Sequence, residues 1–327
     1  MPFQKLLFKA GINDERTSYS SDGGWYDGDK IRFRQGFPEK IGGWNRISTS
    51  TFQGVCRSLW NWVTLSGFNL VSVGTNLKFY LEQGGAYNDI TPIRATTTNA
   101  ATFAATNGSA VLTVTDSNHG ASVNDFVTYS GAVSLGGAIT AVVLNSEYQI
   151  TEVVNGNTYK ITASATANAS DSGNGGGSIV AAYQITTGQS SVVPLTGWGA
   201  GTWGGGTWGN GLASTEAIRL WSQSNFGEDL IFGPRGGNIY YWDASSGVTS
   251  RGVPLQTLGG ASAVPTHQNF IAIADINRFV FAFGANEFGS STVNPMLVRW
   301  SDQENAVEWA PSALNQAGSL RLSQGSE

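Results

Sequence analysis

The sequence predicts an all-β fold, with a β-propeller core and an inserted small β-barrel or β-sandwich module. Short apolar runs alternate with turn residues: LIF at 230–232 and IYYW at 239–242 flank GPRGGN at 233–238, which is the pattern of a β-hairpin. Similar hairpins recur along the chain, and one region interrupts their recurrence. Because one hairpin cannot bury its own apolar face, it needs copies or a partner sheet.

The recurrence is clearest between residues 219–255 and residues 58–93. LVSVG at 70–74 matches DLIFG at 229–233, and residues 271–311 repeat the plan more loosely. About four strands in ~40–50 residues is the period of a propeller blade. The alternative interpretation is a β-sandwich whose hairpins resemble one another only because all hairpins use the same turn residues.

Three regions follow from this pattern. Residues 1–93 hold N-terminal strands and the first blade or blades, residues 94–185 form the inserted β module, and residues 186–327 hold further blades. The module begins with a low-complexity stretch, and its glycine-rich residues 163–178 are predicted to be a long flexible loop. Its five predicted strands are 110–115, 125–129, 148–154, 158–162 and 179–185. When residues 94–185 are left out, the remaining sequence is too short for six blades of ~40–50 residues each, so a six-bladed propeller would be incomplete within it.

A basic strand is predicted near the N-terminus. In the run KIRFR, Ile31 and Phe33 would face one way. The other face would then carry Lys30, Arg32 and Arg34. Such a stripe could contact an acidic partner or nucleic acid, or it could be a solvated face neutralised by the acidic residues nearby. We favour the solvated face, because the acidic residues lie so close in sequence.

Three tryptophans recur in the glycine-rich stretch at 197–211, namely Trp198, Trp203 and Trp208. Their regular spacing is odd, so a continuous strand would send successive tryptophans to opposite faces, and a loop is favoured instead. Tryptophan on such a loop could stack on sugars, bases or another chain. The other interpretation is that the three side chains anchor a long loop to its own domain. These tryptophans and the basic stripe are the candidate contact residues.

Two segments resemble tail proteins of short-tailed bacteriophages. They are GINDERTSYSSDGGWYDGDKIRFRQGFPEKIGGW at 11–44 and WSDQENAVEWAP at 300–311, the latter running into residues 318–327. The proteins that they resemble form the tail nozzle and are also called tail tubular or DNA-stabilisation proteins. The resemblance covers most of residues 1–93 and 186–327, and the first segment is the more specific of the two.

The resemblance implies a β-propeller core, a homohexameric ring and a conduit for DNA leaving the capsid. It implies a structural protein of the virion tail, assembled in the host cytoplasm, that continues the exit channel below the portal and takes part in genome retention and ejection. The expected partners are other copies of the chain, a tail adaptor protein, tail fibres, and duplex DNA that passes without specific binding. The family has no catalytic residues to carry over.

Motifs for catalysis or metal binding are missing from the sequence. Its two histidines are far apart and lack a cysteine cluster, which excludes a His-rich metal site but not an all-oxygen cation site. There is no G-x-S-x-G elbow and no G-x-x-x-x-G-K-[ST] phosphate loop. We therefore expect no enzyme, no cofactor and no metal ligands. The rival hypotheses are a carbohydrate-binding propeller that attaches to the host through exposed tryptophans and, with less support, a propeller glycosidase.

Charge and apolar composition limit the remaining choices. Lys and Arg number 18 against 23 Asp and Glu, so a channel through the ring should be neutral to acidic and should make few phosphate contacts. The basic strand would then face a subunit or the adaptor.

No stretch approaches the ~20 apolar residues of a membrane span. The single cysteine, Cys56, excludes an intrachain disulfide.

Overall fold

The computed structural model describes residues 8–15, 17, 19–20, 22–43, 45–46, 48–189 and 218–323. These residues confirm the all-β prediction, because their regular structure is dominated by strands in antiparallel sheets. The chain divides into two compact units, Met1–Thr49 and Ser50–Glu327. The helices are short: α1 is Ala141–Leu144, and two 3-10 helices are Ala244–Ser246 and Leu255–Thr257. In the described part of the chain, no helix has the length and apolar character needed to cross a membrane.

The first unit contains a β-hairpin of β1 (Ile31–Arg34) and β2 (Phe37–Lys40). Gln35 and Gly36 join the two strands with φ angles of 51° and 86°. Two successive left-handed residues are what a two-residue type I′ turn needs. The strand predicted from KIRFR therefore forms, and it pairs with the next segment along the chain.

Sheet 1 opens the second unit and is a four-stranded antiparallel meander in chain order. Its strands are β3 (Cys56–Val63), β4 (Asn69–Thr75), β5 (Phe79–Gln83) and β6 (Ala86–Asp89). The apolar runs that predicted strands in this region fall in β4 and β5, where Leu70, Phe79 and Leu81 are buried. The first of the repeated hairpins is thus part of a complete four-stranded sheet.

The inserted region forms an eight-stranded sheet, the module sheet, with the order β13-β8-β9-β12-β11-β10-β14-β7. Its strands are β7 (Ile93–Thr98), β8 (Thr102–Ala105), β9 (Val111–Thr115), β10 (Phe126–Ser130), β11 (Glu147–Asn155), β12 (Thr158–Thr162), β13 (Asp171–Asn174) and β14 (Val180–Gln184). Inward side chains from strands across the sheet, from Phe103 to Tyr183, share one buried cluster. The sheet therefore curls around its own core as a half-barrel.

Three of the eight strands are absent from the sequence-based prediction. β7 begins before the low-complexity stretch at 96–109 and runs into it, and β8 lies within it. β13 lies within residues 163–178, so residues 163–178 are not the long flexible loop that we predicted. β8 and β13 are rich in Ala, Gly, Asn or Asp, whose local preference for strand is weak. β7 carries the strand-favouring residues Ile and Thr, but its threonines belong to the low-complexity stretch. These strands form because β14 supplies a partner for β7 and β8 supplies one for β13.

Sheet 2 and sheet 3 follow the module and repeat the meander of sheet 1. Sheet 2 consists of β15 (Trp221–Phe226), β16 (Asp229–Pro234), β17 (Tyr240–Trp242) and β18 (Val253–Pro254). Sheet 3 consists of β19 (Phe270–Ile273), β20 (Val280–Phe283), β21 (Leu297–Trp300) and β22 (Gly318–Arg321). The repeat at 219–255 therefore corresponds to sheet 2, and the repeat at 271–311 corresponds to β19–β21 of sheet 3, whose fourth strand, β22, lies beyond it.

The three sheets stack face to face through two separate cores. Phe79 of sheet 1 and Phe232 of sheet 2 stack with ring centroids 4.1 Å apart, inside one buried cluster. The preceding residue on β16, Ile231, points to the opposite face and is buried with Ile271 of sheet 3 in a second cluster. Sheet 2 therefore lies between sheets 1 and 3.

Two glycines allow neighbouring sheets to approach closely. A Cβ atom added to Gly74 would lie 2.6 Å from Cδ1 of Trp221, and one added to Gly233 would lie 3.0 Å from Cδ1 of Ile271. Both distances are shorter than ordinary van der Waals contact, so each position favours a residue without a side chain. The glycines that end LVSVG and DLIFG thus mark the same packing position in sheets 1 and 2.

The module leaves and rejoins the rest of the second unit at one point. Ile93 pairs with Gln184, and the N–H of Ile185 donates to the carbonyl of Pro92 at 3.0 Å. Ile185 is itself buried in the core between sheets 1 and 2. The module sheet consequently ends at residue 184.

Replacing residues 94–184 with a short Gly-Ser bridge should leave sheets 1 to 3 folded, because the two ends already meet. We expect the shortened protein to unfold in one cooperative urea transition, at a lower urea concentration than the full chain, since contacts between the module and sheet 1 are lost. Tryptophan fluorescence and circular dichroism should report the same midpoint. A broad transition, or midpoints that differ between the two probes, would show that the module is part of the common core.

Candidate functional site

The basic residues predicted as a contact surface lie in the N-terminal hairpin. Arg32 and Arg34 are exposed on β1, while Ile31 and Phe33 are half-buried, as the alternation predicted. Lys30 lies outside the strand, because its φ of 56° is left-handed backbone. The strand therefore carries two of the three predicted basic side chains on its exposed face.

Two of the basic side chains are paired with acidic neighbours. Arg32 Nε lies 2.5 Å from an oxygen of Glu39, and Lys30 Nζ lies 3.4 Å from an oxygen of Asp29. Exposed pairs of this kind contribute about 0–1 kcal/mol, so they neutralise charge without locking the hairpin. Arg34 forms no ion pair within the part of the chain that the structure describes.

The three tryptophans predicted as contact residues, Trp198, Trp203 and Trp208, lie outside the described residues. Their role as subunit contacts or as loop anchors therefore stays a prediction. The described residues that flank this stretch meet, because Gln189 and Ile218 form a parallel β-bridge.

A partly buried ion network joins three parts of the second unit. Lys78 Nζ lies 3.0 Å from Asp89 Oδ2 and also contacts Glu147. Arg251 Nη2 lies 3.3 Å from Asp89 Oδ2 and 3.7 Å from Glu147 Oε1. The side-chain amide of Gln184 donates to both carboxylates. Lys78 directly precedes β5 of sheet 1, and Asp89 ends β6 of the same sheet. Glu147 and Gln184 belong to the module sheet, and Arg251 lies just before β18.

Lys78 is the most buried member of the ion network, with 3% of its side chain exposed. Removing an ammonium group from water costs several kcal/mol unless it is paired and hydrogen-bonded. Here two carboxylates surround it, and the ring centroid of Phe126 lies 4.3 Å from Nζ. Since Phe126 and Glu147 belong to the module sheet, Lys78 fixes the module against sheet 1.

The ion network keeps Asp89 ionised. Burial raises the pKa of Asp89, but Lys78, Arg251 and the hydrogen bonds from Thr91 together lower it by more, so it lies below the ordinary value of 3.8. Burial raises the pKa of the nearby Tyr80 phenol to about 12, so this hydroxyl is neutral near pH 7. An aspartate that stays ionised to low pH suits an ion pair and is a poor proton donor near neutrality.

Acid should destabilise the protein partly through Asp89. Its folded pKa is depressed, so its contribution is fully present above the ordinary carboxyl pKa and is lost as pH falls through the folded value. As the pH falls from 7 to 3, Lys78→Met should therefore lose less stability than the natural protein in urea denaturation, since the variant lacks the larger of the two positive charges that lower the pKa of Asp89. Parallel acid profiles would show that this pair contributes nothing to the pH dependence.

A second polar cluster lies inside the module. It is a chain of side-chain hydrogen bonds, in the order Tyr129, Tyr159, Tyr183 and Asp116. Tyr183 donates to Asp116 Oδ2 at 2.7 Å, so the Tyr159 hydroxyl, 2.9 Å away, donates to Tyr183. Burial raises the pKa of all three tyrosines, so their hydroxyls stay protonated. The chain links β10, β12 and β14 to the turn after β9.

The two histidines do not form a metal site. His119 is buried, and its Nδ1 accepts from the N–H of Ala121 at 3.0 Å. Its Nε2 therefore carries the proton and donates to the carbonyl of Asn155 at 3.0 Å. His267 lies before β19, and burial lowers its pKa. Across the described ranges, no three His, Cys, Asp or Glu side chains cluster in a way that could hold a metal ion.

Sequence reasoning missed both polar clusters. Lys78 and Glu147 are 69 residues apart, and no local pattern predicts that they meet. A partial signal was present, because a lysine at the edge of the apolar run KFY is rarely buried without a partner. Spacing alone could not identify that partner.

Comparison with known proteins does not assign the chain to a family. No protein-family model matches the sequence, and no curated protein matches it. Among solved structures, the chain is similar to the phage phi92 endosialidase, with 15% sequence identity and a TM-score of 0.23. The match covers 88% of this chain and 40% of that one, so the chain spans less than half of that protein's length. A match this weak supports no conclusion about fold or function.

Proposed function

We propose that the protein is a structural virion protein, a β-propeller that assembles into a ring and forms the tail nozzle of a short-tailed phage. The observation that carries the proposal is the stacking of sheets 1, 2 and 3, each a four-stranded meander that packs on the next in chain order. Four-stranded sheets repeated around an axis are the blades of a propeller. The resemblance of residues 11–44 to tail nozzle proteins supplies the functional class.

The positions of the first strands support a common axis. Trp60 on β3 donates from Nε1 to Asn225 on β15 at 3.2 Å. The N–H of Ile271 on β19 donates to the hydroxyl of Ser222 on β15 at 3.0 Å. The first strand of sheet 2 thus lies between those of sheets 1 and 3, while the later strands of each sheet follow in order away from this row. Innermost first strands are what a propeller requires.

In the proposed ring, copies of the chain surround a channel for DNA below the portal and the adaptor. The exposed Arg32 and Arg34 would contact a neighbouring subunit or the adaptor rather than the channel. The module sheet, fixed on sheet 1 by the ion network, would present a rigid surface to a fibre or to the next subunit. The first assignment rests on the exposure of the two arginines. The second rests on the rigid attachment of the module sheet to sheet 1, which a tail component that transmits load needs.

We infer no catalytic role for the described carboxylates. Asp89 and Glu147 lie close together, but Lys78 and Arg251 pair with both of them. A glycosidase needs a carboxylic acid whose pKa is raised, whereas that of Asp89 is lowered. Burial raises the pKa of Asp125, but its Oδ2 accepts from the N–H of Ser122 within a turn and its Oδ1 accepts from the N–H of Thr187, far along the chain.

Size-exclusion chromatography with light scattering tests the proposed assembly. We expect one species with the mass of a homohexamer, stable to dilution. A glycan array and a fluorogenic glycoside assay address the rival hypotheses. A single chain that binds glycans would favour the carbohydrate-binding propeller, and hydrolysis would favour the glycosidase.

The purified protein should bind duplex DNA weakly, because a conduit must let the duplex slide. Each phosphate contact from Lys or Arg adds salt-sensitive affinity through counterion release, and acidic residues outnumber basic ones in this chain, 23 to 18. We expect dissociation constants of ~10⁻⁴ M or weaker at physiological salt, measured by fluorescence anisotropy at several salt concentrations. Submicromolar binding with a steep salt dependence would indicate a protein that holds DNA rather than one that lets it pass.

A further inference from the structure

The module and the stacked sheets have separate apolar cores. Among the described residues, the buried cluster of the module runs from Ala101 to Tyr183 and contains no residue of sheets 1, 2 or 3. The cluster between sheets 1 and 2 includes Ile90 and Ile185, which flank the module, but no described residue from within it. Apolar packing therefore holds each part together, and the two cores are not continuous.

The chain enters and leaves the module through one pair of strands. Ile93 of β7 pairs with Gln184 of β14, and the register of this pairing shifts between Tyr183 and Gln184. An irregularity of this kind disrupts the ladder locally and bends the strand. The buried Ile90 and Ile185 fix the ends of the connection in the other core. A two-strand connection with an irregular ladder is a place where one part of a chain can turn relative to another.

Away from this connection, charged contacts to the module converge on Glu147. Glu147 begins β11, and its carboxylate contacts Lys78 Nζ and lies 3.7 Å from Arg251 Nη2. The side-chain amide of Gln184 donates to it as well. In the described ion network, Glu147 is the single charged group that comes from the module. One side chain thus links the module electrostatically to sheet 1 and to the segment before β18.

Separation of Glu147 from these cations would leave neither of them without a partner. Lys78 and Arg251 each keep Asp89, at 3.0 Å and 3.3 Å. The side chain of Glu147 is already 31% exposed, so water can solvate it when it separates. Breaking a buried ion pair is costly mainly when it leaves a buried charge uncompensated. The contact can therefore open while both cores stay folded.

We propose that the module is a hinged arm, which Glu147 holds against sheet 1 and which turns about the Ile93–Gln184 connection when that contact opens. Parts of a chain that share no large apolar interface move relative to each other by default. Asp125 accepts from the N–H of Thr187 at 2.8 Å, and this contact lies beside the connection, so it need not break. The proposal goes beyond the nozzle assignment and does not depend on it, since every group involved belongs to one chain.

The distance between two spin labels tests the hinge. Cys56, the single cysteine, is exposed at the start of β3 in sheet 1. Val142→Cys adds a second label site in α1 of the module, where Val142 is 81% exposed. Double electron–electron resonance on this labelled protein should give one narrow distance distribution. Adding Glu147→Gln should replace it with a broad distribution, because the carboxylate that holds the arm is lost.

Glu152→Gln is the matched control, because Glu152 lies on the same strand and pairs with Lys160 of the module itself at 2.9 Å. It should leave the distribution narrow. A narrow distribution that survives Glu147→Gln would overturn the proposal, and so would a broad one in the labelled protein that keeps Glu147.

Circular dichroism and urea unfolding check that both cores remain folded in each variant. Glu147→Asp takes the place of Glu147→Gln if the latter does not fold, and it too should broaden the distribution, because its shorter side chain keeps the charge but cannot reach both cations. None of these results depends on ring assembly, so the nozzle proposal stands or falls separately.

Discussion

Replacing Phe79 with alanine should lower the free energy of unfolding by about 4 kcal/mol, as expected for a large aromatic side chain removed from a packed core. Phe79 is fully buried and stacks on Phe232 at 4.1 Å, and the Trp221 ring centroid lies 4.8 Å away. The cavity would open between sheets 1 and 2, where the stacking of the sheets depends on aromatic contact. Urea denaturation followed by circular dichroism measures the loss.

Phe68→Ala is the matched control, because Phe68 is an exposed phenylalanine in the turn between β3 and β4. Its replacement should change stability by no more than about 0.5 kcal/mol. If the Phe79 variant cost no more than this control, sheets 1 and 2 would not share the core described, and the propeller arrangement would lose its main support.

Lys78→Met should lower the free energy of unfolding by about 3 kcal/mol at pH 7. Methionine keeps most of the side-chain volume but removes the charge that balances Asp89 and Glu147, and breaking a buried ion pair from one side costs ~3–5 kcal/mol. The lower end of this range applies because the carboxylates of Asp89 and Glu147 retain some contact with water and with Arg251. Urea denaturation measures the change.

Lys160→Met provides the control for this prediction. Lys160 pairs with Glu152 at 2.9 Å on the more exposed surface of the module, and an exposed pair is worth about 0–1 kcal/mol. Equal effects of the two substitutions would show that the ion network is a surface feature and does not hold the module on sheet 1.

The repeated sheets could be predicted because their signals are local. Each signal lies within a single repeat of the sequence. Apolar runs indicate strands, turn residues indicate turns, and the glycines at 74 and 233 indicate a close approach between sheets. The KIRFR strand was predictable for the same reason, since alternation requires only neighbouring residues. Lys30 departs from that pattern because its own backbone is left-handed, and the strand begins only at the next residue.

The module and the ion network depend on partners that are distant in sequence. The edge strand β13 has a weak local preference for strand, and it forms by pairing with β8. The edge strand β7 pairs with β14, which is distant in sequence. Lys78 meets Glu147 only after the module has folded back onto sheet 1.

Negative-stain electron microscopy of the purified protein tests the central claim most directly. The proposed nozzle predicts class averages that show a ring with a central hole and rotational symmetry, with sixfold symmetry expected from the resemblance to tail nozzle proteins. Particles of single-chain size without a hole, or open filaments without closed rings, would contradict the proposal that this chain forms a conduit.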